Sequence, residues 1–162
     1  MKKTQRGFAL LISIIFMSVM LSFGLALGSI SYKQQVLASA AVESQYAFYA
    51  ADAALECALY ADQQLNLFAY TPDAPSSAPV IPCDGSTTPF FSSILSHSAT
   101  QWVVKNTLSL DGGKRCADVT VYKPAPGSDI TYIFSQGYDV SCTTVSSPNG
   151  ARFVSRGLNA HY

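Results

Sequence analysis

Residues 8–30, FALLISIIFMSVMLSFGLALGSI, run for 23 residues without a charge. That is long enough to cross a bilayer as a helix, which takes about 20 apolar residues. The run is entered through MKKTQRG, which carries Lys2, Lys3 and Arg6, and no acid precedes Glu43. Basic residues hold such a flank on the cytoplasmic side, so the remainder of the chain is expected to be exported. A cleaved secretory signal fits less well, because its apolar region usually spans roughly 7–15 residues before a small-residue site. The candidate site, Ala38-Ser39-Ala40, lies far beyond that distance. A plain single-span anchor satisfies the same physics. One detail is not needed by an anchor: a lone Gly followed by Phe, in Gln5-Arg6-Gly7-Phe8, between the basic leader and the apolar run.

The helical pattern continues past the apolar run. Tyr32 and Lys33 mark an outer interface, where amphipathic and basic side chains settle. From Gln34 to Leu67 there is neither Pro nor Gly, and Ala is abundant, which suits a helix. Ala47, Ala50, Ala51, Ala54, Leu55, Ala58 and Leu59 recur at three- and four-residue steps and form one apolar stripe. Glu43, Asp52, Glu56 and Asp62 fall mainly off it. One helix is therefore expected over residues 8–67, about 90 Å at 1.5 Å per residue. Gly24 and Gly28, four apart in the apolar half, make a small-xxx-small notch that lets helices approach closely, joined by Ser18, Ser22 and Ser29. The two glycines are also candidates for local unwinding during assembly.

Beyond the helix the composition changes. Pro72, Pro75, Pro79, Pro82 and Pro89, set among Ser and Thr, read as a surface connection, with a short helix allowed near Phe90–His97. Strand signals follow at Gln101–Lys105, Ala117–Lys123, Thr131–Cys142 and Arg152–Leu158. Val119 and Val121 alternate with Thr120 and Tyr122, a bulge is expected at Gly137, and Asp111-Gly112-Gly113-Lys114 and Ser147-Pro148-Asn149-Gly150 read as turns. Three or four antiparallel strands packed on the helix stripe give a small α+β head. The expected division is leader 1–7, membrane or core helix 8–32, amphipathic helix 33–67 and head 68–162. Within the head, 68–100 is the Pro/Ser-rich loop and 101–162 the sheet region.

Cys57, Cys83, Cys116 and Cys142 all lie on the expected exported side, and an even number there suggests disulfides. Three pairings are possible. The preferred one joins Cys57 to Cys83, tying the Pro-rich loop to the helix, and Cys116 to Cys142, stapling the strand region. Each closure is worth about 2–4 kcal/mol. A four-Cys metal site is the rival, but no CxxC spacing occurs.

The junction at Gly7 and Phe8 resembles the type III leader of the type IV pilin superfamily, which includes minor pilins and the pseudopilins of type II secretion. The resemblance implies cleavage after Gly7 by an inner-membrane prepilin peptidase and N-methylation of Phe8. It narrows at residues 43–60, ESQYAFYAADAALECALY. There Gln45, Ala47, Phe48, Ala50, Ala51, Asp52, Ala53, Ala54 and Leu55 are similar to a segment of PilX-type minor pilins. It covers residues 1–60 only. Most major pilins carry a Glu at the fifth mature position, which is thought to neutralise the N-terminal amine of a neighbouring subunit. Here that position is Ile12. A buried charge needs a partner, so this chain cannot offer the pairing to a subunit above it. A tip subunit has no such neighbour, although Ile12 also simply suits lipid. The implied fold is pilin-like. The implied role is a minor, tip-associated structural subunit of a pilus. The implied partners are prepilin peptidase, an inner-membrane assembly platform driven by a cytoplasmic ATPase, and other pilins. The implied location is the inner membrane as a single-pass precursor, then an extracellular filament. A type II secretion pseudopilin and a non-polymerising anchored surface protein are the alternatives.

Removing the leader leaves seven basic and ten acidic residues, a net charge of −3. That is not the basic surface that nucleic acid demands. His97 and His161 stand in unrelated contexts, and no HExxH, GxSxG, P-loop or dinucleotide fingerprint occurs. No enzymatic activity, cofactor or small-molecule substrate is expected. Trp102 and the nine tyrosines are assigned to packing and strand faces, with an adhesive tyrosine surface as the sharper alternative.

Overall fold

The computed structural model describes residues 5–73, 75–85, 90–127 and 130–162. The leader residues 1–4 and Pro89 lie outside this set, and only the backbone is described for residues 5–7 and Ser29. The architecture is α+β: a long N-terminal helix followed by a five-stranded antiparallel sheet. Helix α1 spans Gln5–Gln63. The chain divides into two compact units, Met1–Ala41 and Val42–Tyr162. In the first, every described side chain from Phe8 to Ala41 is exposed.

In the second unit the sheet has strand order β1-β2-β3-β4-β5, a meander, with β1 Phe91–His97, β2 Gln101–Leu110, β3 Arg115–Pro124, β4 Tyr132–Tyr138 and β5 Ser155–His161. The alanine stripe forms as expected. Ala47, Ala50, Ala51, Ala54, Ala58 and Ala61 are buried, while Leu55 and Leu59 are only partly covered. The sheet answers with Val104, Leu108, Ala117, Val119, Val121 and Ile133, one side of each strand's alternation.

The closest meeting of helix and sheet is at β4. A Cβ placed on Gly137 would lie 2.2 Å from both the Ala47 carbonyl oxygen and the Ala51 nitrogen. Two residues earlier, Ser135 is fully buried and its Oγ donates to the Ala51 carbonyl at 2.8 Å. Gly137 is therefore not a bulge: its pairing with Ala117 is in unbroken register. It is the place where the helix backbone lies directly on the strand.

Other expectations are corrected. The helix stops at Gln63, four residues short of Leu67. Asn66 takes a left-handed φ of 51°, and the Leu67 N–H returns to the Ala61 carbonyl at 3.0 Å. Asn tolerates that conformation. The segment read as a short helix at Phe90–His97 is strand β1, because pairing with β2 satisfies its backbone. The sheet has five strands, and β2 and β3 extend beyond their expected ends to meet at the Asp111–Lys114 turn. There φ is 52°, 60° and 92° at Asp111, Gly112 and Gly113, which favours glycine. Strand β4 ends at Tyr138 instead of Cys142, since Ser141 caps a short helix α2, Cys142–Ser146, by accepting the Thr144 N–H. Strand β5 starts three residues late, at Ser155, in a register that places Leu158 opposite Ser135 and Ala160 opposite Ile133.

The Pro-rich connection is less superficial than its composition suggests. Phe68 and Ile81 are fully buried, and Phe68 meets Trp102 with ring centroids 6.5 Å apart. Both disulfides are those preferred from the sequence. Cys57–Cys83 ties the connection to α1, and Cys116–Cys142 ties β3 to α2. Each spans 26 residues, for about 2–4 kcal/mol apiece.

Replacing Gly137 with Ala is expected to destabilise the head by about 3 kcal/mol or more, because the obstacle is backbone and not a movable side chain. Urea unfolding monitored by circular dichroism measures it. A wild-type midpoint would contradict the close approach.

Candidate functional site

Gly7, Phe8, Ile12, Gly24 and Gly28 all lie on helix α1, whereas Lys2 and Lys3 fall outside the described residues. Gly7 is in its first turn. Phe8 and Ile12 are 69% and 49% exposed. Gly24 and Gly28 are helical in the single chain, and a Cβ on either would meet nothing within 4 Å. The notch is open to an approaching helix.

Three serines of this apolar segment are satisfied internally. Ser13 Oγ donates to the Leu10 carbonyl at 2.8 Å, Ser18 to Ile15 at 2.8 Å and Ser22 to Ser18 at 2.7 Å. A hydroxyl bonded to the preceding turn carries no unpaired donor into an apolar medium. The helix is the one among the described residues that is long and apolar enough to cross a membrane. Its exposed surface needs a cover of lipid or of other helices, since water disfavours an apolar patch this large.

In the second unit, Asp62 was placed off the buried stripe by its charge, and this is corrected. It is 4% exposed. Lys123 Nζ donates to its Oδ2 at 2.6 Å, and the Tyr162 hydroxyl donates to the same oxygen. A carboxylate so deep in a head persists only with such partners. Burial, and then the hydrogen bond to Asp62, hold the Tyr162 phenol well above its ordinary value. The three side chains come from the end of α1, the end of β3 and the residue after β5, so they join the C-terminal segment to the helix. Sequence reasoning missed this triad. A lone acid within four residues of a helix end, with no neighbouring base in sequence, gives no local signal.

The two histidines lie at opposite edges of the sheet, His97 in β1 and His161 in β5. His97 Nε2 bonds the Thr71 carbonyl at 2.9 Å and its ring stacks on Tyr70, whereas His161 stacks on Tyr132. Among the described residues no three His, Cys, Asp or Glu side chains gather as metal ligands. A cleft of about 420 Å³ adjoins the Cys57–Cys83 disulfide, where Arg115 lies over the Tyr46 ring at 4.3 Å.

No protein-family model matches the chain, and neither a curated protein nor a solved structure is similar to it.

Replacing Lys123 with Met leaves the Asp62 carboxylate uncompensated and is expected to cost about 3 kcal/mol, read from denaturant unfolding. The Tyr162 phenol has a raised folded pKa. Its contribution is therefore complete below the unfolded value of about 10 and is lost as pH rises through the folded one. Stability should fall on strong alkalinisation, and the fall should shrink in Tyr162→Phe. An identical alkaline profile in that variant would contradict the assignment.

Proposed function

We propose that the chain is a minor structural subunit of a type IV pilus, of the PilX-like kind, placed at or near the tip of the filament. On this reading prepilin peptidase cleaves after Gly7 and Phe8 becomes the methylated N-terminus. The observation that carries the proposal is the junction itself: a short basic leader ending in Gly7, directly followed by 23 uncharged residues. The exposed apolar first half of α1 supports it, because such a surface serves equally in lipid before assembly and among like helices afterwards. The α+β head with its buried alanine stripe and two disulfides supports export to an oxidising compartment. Work is done by helix–helix packing and by display of the head, with other pilins and an inner-membrane assembly platform as partners. Ile12, where a carboxylate would serve a neighbouring subunit, favours the tip over the shaft.

Mass spectrometry of the N-terminus of protein from sheared surface filaments tests cleavage, methylation and incorporation together. The expected mature chain begins at methylated Phe8. An intact leader, or cleavage near Ala40, would sink the proposal. Gly7→Leu should leave unprocessed precursor in the membrane, visible as a mass larger by the leader. Recovery of the mature species from that variant would refute the cut site.

A further inference from the structure

The side of the sheet turned away from α1 carries an aromatic surface that the assembly reading does not use. Strand registers place it residue by residue. Tyr122 of β3 pairs directly with Tyr132 of β4, and Tyr132 pairs on its other side with His161 of β5. Two positions along β4, Phe134 pairs with Asn159. Tyr122, Tyr132 and Phe134 are 37%, 48% and 44% exposed. With Gln101 and Asn159 they line a groove of about 440 Å³, within the range of about 300–1,000 Å³ usual for small-ligand sites.

The rings are held in place. Tyr132 stacks on His161 with centroids 5.8 Å apart. The Phe134 ring lies over Gly157 of the next strand, where an added Cβ would meet it at 3.2 Å. Rings on a paired strand need little further ordering when a ligand arrives.

The charge pattern narrows the ligand. Among the described residues, none lining the groove is formally charged. Lys105 and Asp118, on the same side of β2 and β3, pair with each other at 2.9 Å. Lys123 turns to Asp62, and the Arg156 Nε donates to Ser44 at 2.8 Å on the helix side. An anionic polymer, nucleic acid included, would meet no cation among the described residues of the groove. Rings flanked by two primary amides and two phenol hydroxyls suit a molecule with one C–H-rich face and a hydroxyl rim. Polarised C–H groups rest on the negative ring face, and amides bond the hydroxyls.

We propose that this outer face of the sheet binds an uncharged saccharide, with Tyr132 and Phe134 as the stacking platform and Gln101 and Asn159 as the hydrogen-bonding ends. The site belongs to the head and does not depend on incorporation into a filament.

The test uses the full chain, solubilised in a detergent without a sugar headgroup, on an array of neutral and acidic glycans. Calorimetric titration of the best neutral oligosaccharide follows. Saturable binding is expected. Tyr132→Ala and Phe134→Ala should each weaken it by about tenfold or more. Tyr132→Phe should keep most of the affinity, and Tyr49→Ala, which removes an exposed ring on α1, should change nothing. Both platform rings are exposed, so an unchanged circular dichroism spectrum is expected of each variant. Absence of binding to every neutral glycan at millimolar concentration would overturn the proposal. So would a preference for acidic glycans, or unchanged affinity in both alanine variants. If the two variants instead abolish self-association in sedimentation, the face is a contact between copies and the proposal fails.

Discussion

The head depends on one close approach, the backbone of α1 lying on strand β4. Gly137 leaves no Cβ in the way, and Ser135 bonds the Ala51 carbonyl from within the core. The fully buried apolar residues of the helix are all alanines. Small residues on both sides bring the two backbones together, but each buries little apolar area. The larger buried side chains, Phe68, Ile81 and Trp102, lie in the same core cluster as the alanines. A head of this size with so much Ala in its core gains little from area alone. Two closures of 26 residues each supply part of the difference by restricting the unfolded chain.

The Asp62 pair adds a constraint of another kind. Replacing a buried ion pair with apolar residues is often neutral or favourable, so the pair is weak evidence for stability as such. Its use here is positional. Lys123 and Tyr162 both reach the same carboxylate oxygen, so a shift of α1 along the sheet would strand the charge in the core. The alanine stripe alone does not fix that register, since its residues are interchangeable in shape. Gly137 and Asp62 thus define two points along one helix: the first by shape, the second by charge.

These two points also mark where the sequence became hard to read. The stripe, the long helix, the two tight turns and the presence of disulfides were legible because each follows from local periodicity, turn chemistry or compartment. Gly137 was taken for a bulge because a strand Gly signals either a bulge or a close approach, and only the partner decides which. Asp62 was misplaced because its partners are 61 and 100 residues away. Strand β1 was missed because Phe91–His97 contains three serines and one β-branched residue, a poor strand by propensity that tertiary pairing overrides. The outer aromatic row was hidden for the same reason: Tyr122, Tyr132 and His161 become neighbours only through register.

Helix residues 8–32 pose a problem of medium, not of folding. Their surface is apolar on every side and exposed throughout the described side chains, while Ser13, Ser18 and Ser22 bond the preceding turn. Lipid and a bundle of similar helices satisfy such a surface about equally, because transfer between them involves little hydrophobic change. The difference between the two media lies in charge. An N-terminal amine at a bilayer surface is solvated, whereas one drawn into a filament core needs a carboxylate or costs several kcal/mol. No acid precedes Glu43, so this helix cannot supply that carboxylate to a neighbour from within its apolar half. In the proposed filament, a copy in the shaft would leave its neighbour's amine unpaired, whereas a copy at the tip would not. On the proposed reading, the cost of one missing charge partner would by itself favour a terminal place, without any contact from the head.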